Sequence, residues 1–449
     1  MDTVRSQPEN MASLKTNIYF KVATIVIITL LLLIPTSMIR LLISERETTQ
    51  NEAIREVSAK WGEAQTITGP FLSIPFNRYV REYATKKDST IKLVPVKDYL
   101  HVLPTQLNIS GNINPEKRYR GIYEIVVYNS KLEISGTFNA IDLAALDMAA
   151  KDIQFDKAEF VVGINDLRGI EQAVNLEWNT EKVSFNPGVS STDVISSGIN
   201  ALLKINPEDS TAYNFKLSLD LKGSQRLYFT PVGKVTDVTV RSEWANPSFN
   251  GAFLPDNREV SAQGFNANWN ILHLNRNFPQ AWTGNRHAIQ PASFGIDLIL
   301  PVDNYQKSYR SIRYAILFIV FTFLVFFFIE VLNKIFIHPI QYILVGIALI
   351  IFYTLLLSIS EHLKYNMAFI VSALATLLLI AGYVKAILKS NKLTLLLSGI
   401  LTVLYSFIFV IIQLQDYALL IGSIGVFIIL GLTMYFSRKI DWYNLNLNE

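Results

Sequence analysis

Charges at the edges of apolar segments are the first place to look for chemistry, because a charge in lipid is costly and is kept where it pairs or acts. Glu330 closes one apolar run and Lys334 follows one helical turn on, the spacing of an interfacial i, i+4 ion pair. Glu361 and His362 sit at the end of the next run, where a carboxylate beside an imidazole could serve a proton relay or a docking point for an outer domain. Arg118 and Arg120 alternate on a strand-like segment just before Glu124, the pattern of a charge ladder across a hairpin. These five residues, Glu330, Glu361, His362, Arg118 and Arg120, are the candidate functional or coupling positions.

The same search excludes much. The five histidines (His101, His273, His287, His338 and His362) form no H-E-x-x-H or other close metal spacing. Cysteine is absent, which removes thiol nucleophiles, disulfides and Cys-based metal sites. No Walker A loop, G-x-G-x-x-G or G-x-S-x-G elbow occurs. Asp297 and Asp303 flank a strand-like run and read as solvent-exposed; Trp244 and Trp269 read as core or interface aromatics. Neither a catalytic residue nor a cofactor or metal is nominated.

The elements that carry these residues are set by hydropathy. Six uncharged stretches approach the roughly 20 residues that span a bilayer: Val22–Ile39, then Tyr314–Ile329, Pro339–Ser360, Tyr365–Val384, Leu393–Gln415 and Tyr417–Ser437. The expected layout is a segment 1–21, an anchor 22–44, an outer domain 45–310, a five-helix bundle 311–437 (about 312–332, 339–360, 365–384, 393–414 and 417–437) and a tail 438–449. The first stretch is too long for a signal-peptide core and no A-x-A-like site follows it, so it reads as an uncleaved anchor, with Pro35 kinking its outer end. Lys15, Lys21, Lys334, the Lys385–Lys389–Lys392 loop, Arg438 and Lys439 fall on one side under the positive-inside rule. Arg40, Arg310 and Arg313 oppose it. The expectation is cytoplasmic termini and a periplasmic outer domain in a bacterial inner membrane.

Residues 45–310 hold 28 Lys/Arg and 30 Asp/Glu, a balance that gives no basic patch for nucleic acid. A stalk helix is expected over 45–68, with Ile54, Val57 and Trp61 on one face. Beyond it strand signals dominate. Ile122–Tyr128 and Leu132–Phe138 read as a hairpin, Tyr213–Leu221 and Val235–Val240 as strands, and Ala140–Lys151 as the one internal helix. The fold class is therefore a membrane α-helical bundle of six spans (1+5) with a large β-rich extracytoplasmic domain, an antiparallel sandwich. In the bundle, Gly346, Gly382, Gly399, Gly422, Gly425 and Gly431 are expected packing positions. No span carries a charge at its centre, which argues against an ion-coupled pump with a midplane site.

Read as whole strings, the sequence resembles the CreD family of inner-membrane proteins over nearly its full length. Trp61-Gly62, Gln65 and Gly69-Pro70 match a W-x3-Q-x3-GP segment. Residues 118–124 match RYRGIYE, and Trp244, Pro247-Ser248-Phe249, Gly251 and Phe253-Leu254-Pro255 match W-x2-PSF-x-G-x-FLP. Pro301-Val302-Asp303 with Tyr305, His338–Tyr342, Leu357–His362, Asp416–Leu420 and Asp441-Trp442-Tyr443 complete the match. The chain departs in its longer polar head, Met1–Lys15, and in Asn200, where relatives commonly carry His. The resemblance implies a role in cell-envelope integrity, with a link to a stress regulon and to the response to colicins or β-lactams. It supplies no catalytic residue.

Two readings follow. The first is a non-enzymatic envelope factor, embedded among membrane lipids, whose outer domain binds a periplasmic protein, glycan or lipid. The second is a transporter or lipid-handling channel component, with Glu330, Glu361 and His362 along the route. An outward-facing hydrolase would need a Ser/His or carboxylate pocket assembled from scattered residues.

Overall fold

The computed structural model describes residues 18–85, 88–144, 146–206, 211–300, 304–414, 417–438 and 440. The chain divides into two compact units, residues 1–50 with 302–449, and residues 51–301. Lys15, Pro301, Val302, Asp303, Asp416, Lys439 and residues 441–443 lie outside the described residues.

The membrane unit is helical. α1 (Ile18–Trp61) is followed, after the β region, by α2 (Asn304–Arg313), α3 (Ala315–Leu332), α4 (Pro339–Ser360), α5 (Tyr365–Leu388), α6 (Asn391–Gln413) and α7 (Ala418–Ser437). Six of these are long and apolar enough to cross a membrane; α2 is short and amphipathic. The anchor and the stalk are one 44-residue helix, with no break near residue 45 and an end at Trp61 rather than 68. Pro35 lies inside it. Thr36 Oγ1 and Ser37 Oγ donate to the carbonyls of Leu32 and Ile34 beside it, while the carbonyl that loses its helical donor to the proline is that of Leu31.

The glycine expectation holds at two positions only. A Cβ on Gly346 would stand 2.2 Å from Leu32 Cδ1 of α1, and one on Gly425 2.1 Å from the Phe407 ring of α6. At Gly382, Gly399, Gly422 and Gly431 a Cβ would meet nothing within 4 Å. Those four lie on open helix faces, where hydropathy alone could not distinguish a lipid contact from a helix contact.

The other unit is a two-sheet β domain. Its strands are β1 (Gln65–Thr85), β2 (Asp88–Val102), β3 (Gln106–Arg120), β4 (Tyr123–Phe138), β5 (Ala158–Ile164), β6 (Asn175–Trp178), β7 (Glu181–Ser184), β8 (Asn186–Pro187) and β9 (Gly198–Leu203). They continue with β10 (Tyr213–Ser224), β11 (Arg226–Thr230), β12 (Val235–Ser242), β13 (Pro247–Gly251), β14 (Asn257–Ser261), β15 (Gly264–Leu272), β16 (Ala281–Thr283) and β17 (Phe294–Leu298). The first sheet runs β13-β17-β11-β1-β5-β9-β8, with β2 on β1 and β16 on β2; the second runs β14-β15-β12-β3-β4-β10-β6-β7. Most neighbours are antiparallel, but β1–β11 and β3–β12 are parallel, so the sandwich is mixed. One apolar core joins the inner faces. Trp269 of the second sheet packs on Phe294 of the first, with ring centroids 5.4 Å apart, and Phe138 packs on Phe160 at 6.1 Å. Burial alternates along β10 and β12 as period-two strands require.

Two local expectations are corrected. The hairpin pairs β3 with β4 across Gly121 and Ile122, where the Gly121 φ of 60° suits the turn, while Tyr123–Tyr128 and Leu132–Phe138 belong to one strand. Ser130 is buried there and donates to Leu221 O, so a polar side chain that looked like a turn is a ladder residue. Ala140–Lys151 is no helix. Turns close on Leu143 O, Asp147 sits at φ 54°, and a single 3-10 turn spans Ala150–Asp152. Gln154 N–H then bonds Pro75 O and Ile153 bridges to Phe76, so the sheet edge captures the chain before a helix can extend.

Candidate functional site

The sequence-predicted residues occupy three separate places. Glu330 is 1% exposed near the end of α3. Its carboxylate receives the Lys21 ammonium of α1, the Tyr342 hydroxyl at 2.8 Å and the Ile337 N–H at 3.0 Å. Lys21 also donates to Ile337 O at 2.5 Å and lies 4.3 Å from the Phe336 ring centroid. The expected i, i+4 pair with Lys334 does not form the site, because α3 ends at Leu332 and Lys334 turns off at φ 53°. The carboxylate is enclosed in protein. Both carboxylate oxygens are hydrogen-bonded, Oε1 by Lys21 and the Ile337 N–H and Oε2 by Tyr342, as a charge held away from water requires.

Glu361 lies beyond the C-terminus of α4. It accepts from Tyr305 Oη at 3.2 Å, and Arg46 Nε of α1 stands 3.7 Å away; Asn304 Nδ2 caps Ser360 O at 2.7 Å. The His362 side chain is exposed and makes no hydrogen bond among the described residues. Among the described residues, no hydrogen bond joins the Glu361 carboxylate to the His362 imidazole. An apolar groove of about 460 Å³ among α1, α3 and α7 is lined by Val22, Ile25, Phe323, Phe327 and Thr433. It brings together neither charge.

Arg118 and Arg120 are in the β domain. They do not face Glu124, which pairs with Lys117 at 2.6 Å. Strand alternation is the reason: Tyr119 is the register partner of Glu124. Arg118 pairs with Glu116 and lies 4.7 Å from the Trp61 ring centroid, with Lys222 at 4.8 Å. Arg120 reaches Glu56 on the last turns of α1 at 3.0 Å. The Lys60 and Arg120 hydrogen bonds hold the Glu56 carboxyl below its ordinary range. Trp61 Nε1 donates to Tyr128 O, and Arg168 caps Ala59 O at 2.6 Å while pairing with Asp166 and Glu63. The two arginines thus belong to a clamp around the end of α1.

Sequence reasoning missed a polar cleft of about 600 Å³ on the outer face of the first sheet. Ile67 is fully buried toward the core, so its neighbours Thr66 and Thr68 face the cleft. Thr66 registers with Tyr228 and Thr68 with Thr230. Asn165, Ser196, Ser197, Gln290 and Ser293 form the walls, with Glu63 and Arg226 as the charged members. Gln290 Nε2 donates to Val194 O at 2.5 Å and ties the two walls together. Burial, then Asp297, push the Tyr228 phenol above its ordinary value, so it remains a neutral hydroxyl. Period-two alternation of Thr66 and Thr68 was the available signal, but it marks any half-exposed strand.

A second missed cluster is Ser73, His101 and Asp193. Ser73 Oγ is 3.3 Å from His101 Nδ1, and His101 Nε2 is 3.4 Å from Asp193 Oδ2. The three residue types suit acyl transfer. However, Ser73 is 3% and His101 1% exposed, with Trp282 and Phe71 packed on the imidazole, so a substrate carbonyl cannot reach the hydroxyl. Burial pushes the imidazole down from its ordinary value despite Asp193. Among the described residues no group of three His, Asp or Glu side chains is placed to hold a metal ion.

The family model for inner membrane protein CreD matches residues 17–443. The chain belongs to the CreD family. It is 32% identical over 440 residues to inner membrane protein CreD of Escherichia coli (strain K12), covering 97% of this chain and 96% of that one. Two solved structures show a remote likeness. An M1 zinc metallopeptidase from Deinococcus radiodurans aligns at 8% identity over 38% of each chain, with a TM-score of 0.18. Leukotriene A4 hydrolase from Saccharomyces cerevisiae aligns at 12% identity over 38% of this chain and 26% of its own, with a TM-score of 0.17. Neither carries an activity across.

The strings that resemble the CreD family now have physical roles. Trp61 and Gly62 end α1; Gly62 has φ 154°, and a Cβ there would stand 2.8 Å from Lys222 O. Gln65, fully buried, donates to Asp166 O and Lys222 O and accepts from Asp166 N–H. His338 and Gln341 form a capping box at the start of α4, with Pro339 at its first position. Tyr342 completes the Glu330 cluster, and Glu361 accepts from Tyr305 at the end of α4.

Proposed function

We propose that this chain is a non-enzymatic inner-membrane protein that contributes to cell-envelope integrity by binding an envelope component in the cleft of its β domain. In this reading the termini are cytoplasmic and the β domain is periplasmic. The observation that carries it is the contrast between cavities. The cleft of the β domain is lined by hydroxyls and amides around Tyr228, whereas the groove among the membrane helices is apolar. A transport route through the bundle would need polar groups open to a permeant. Glu330 and Glu361 instead spend their acceptors on Lys21, Tyr342, Tyr305 and Arg46.

Complementation tests the choice. A strain lacking the gene would receive the wild-type chain, a Thr66→Trp variant that fills the cleft, or the Glu361→Gln/His362→Asn double variant, all at equal abundance. Resistance to β-lactams and detergent should be lost with the filled cleft and retained with the double variant. The opposite outcome sinks the binding reading in favour of transport. An enzyme reporter fused at position 200 should be active only outside the cytoplasm.

A further inference from the structure

We infer that the cleft takes an uncharged saccharide, a conclusion that rests on the binding reading above and assigns its ligand class. Its volume of about 600 Å³ lies within the range of roughly 300–1,000 Å³ typical of small-molecule sites. The two charged lining residues are one acid and one base, Glu63 and Arg226, and their formal charges cancel. Glu63 is already engaged by Arg168 at 3.1 Å, while the Arg226 guanidinium lies 5.5 Å from the Tyr228 ring centroid with Asp297 as its strand partner. With those neighbours counted, the formal charges of Glu63, Arg168, Arg226 and Asp297 sum to zero, so net charge favours neither an anion nor a cation.

What remains is neutral hydrogen-bonding capacity. Thr68 Oγ1 and Thr230 Oγ1 are 3.0 Å apart, and Thr230 Oγ1 and Ser293 Oγ 2.9 Å apart. Three hydroxyl protons are available for two links. Run head to tail, the chain leaves one end hydroxyl to donate into the cleft and the other to accept from it, since Thr68 and Ser293 both line the wall. Reversing the chain swaps the roles. A sugar hydroxyl, itself both donor and acceptor, matches either polarity, whereas a bare carboxylate or ammonium matches only one. Asn165 and Gln290 supply amides of the kind that bind vicinal hydroxyls and acetamido groups, and Tyr228 supplies a neutral aromatic edge.

The test uses the full chain in lipid nanodiscs and three probes: chitotetraose, an uncharged tetramer of N-acetylglucosamine; tetragalacturonate, which carries a carboxylate on each ring; and inorganic phosphate. Saturation-transfer NMR and calorimetry read binding. Chitotetraose should bind, and Tyr228→Leu should weaken it at least tenfold. Thr66→Trp should abolish it at an unchanged melting temperature; Ser196→Trp on the exposed rim gives the same block if the strand substitution misfolds. Arg226→Gln should change it less than threefold. Tighter binding of tetragalacturonate or phosphate, lost with Arg226→Gln, overturns the uncharged class. Binding of no saccharide, with Thr66→Trp still failing to protect cells, overturns the saccharide while leaving the cleft as the working site. Full protection by Thr66→Trp removes the cleft reading itself.

Discussion

Replacing Lys21 with Met should destabilise the membrane unit by about 3 kcal/mol, the low end of the cost of breaking a buried ion pair. Met keeps the unbranched stem and removes the donors to Glu330 and Ile337 O. The carboxylate retains Tyr342 at 2.8 Å and the Ile337 N–H at 3.0 Å, which places the loss low in the range. Glu330→Leu should cost less, about 1–2 kcal/mol, because the Lys21 side chain is 11% exposed and a flexible stem can lead its ammonium toward water. The double variant removes both charges and should cost no more than about 2 kcal/mol, a coupling of at least about 2 kcal/mol. Equilibrium unfolding of the full chain in mixed detergent micelles, read by proteolysis, measures all three. Additive single effects, or a Lys21→Met loss under about 0.5 kcal/mol, would refute a pair that stabilises α1 against α3 and α4.

Trp61→Ala should cost about 2–3 kcal/mol, combining lost packing with two cation–π contacts of roughly 0.5–1 kcal/mol each from Arg118 and Lys222; calorimetric melting of the full chain checks it. Gly425→Ala forces the Phe407 ring aside and should cost about 1–3 kcal/mol, whereas Gly382→Ala should be neutral or stabilising by up to about 1 kcal/mol; micelle unfolding separates them. His101 is held neutral by burial, so its folded form takes a proton less readily than the unfolded chain. Stability should be level above the unfolded value of about 6.5 and fall as pH drops below it, by at most about 1.4 kcal/mol per pH unit. His101→Asn should flatten that profile in a melting series between about pH 7.5 and 5.

What could be read from the chain divides by the range of the interaction. The six spans were legible because an uninterrupted apolar run has one stable answer in lipid, and α4 begins and ends where its residues place it, from Pro339 to Ser360. Local ambiguity defeated the reading elsewhere. Asn129 and Ser130 look like a turn between two apolar runs, but Ser130 donates across the sheet to Leu221, 91 residues on. Ala140–Lys151 has helical composition, yet the bonds that decide its path run to Pro75 and Phe76. The charge partners were beyond any local rule. Lys21 served the sequence as a topology marker, but its carboxylate lies 309 residues away, and Lys334 was favoured only because a helix was assumed to continue. The cleft escaped for the same reason. Thr68, Thr230 and Ser293 are unremarkable singly, and only the parallel register of β1 with β11 turns them into a row of hydroxyls. The hydrogen-bonding groups of this cleft come from ordinary residues, so strand register is what assembles them. Disturbing that register, rather than any one charged residue, should therefore be the most damaging change to binding in the β domain.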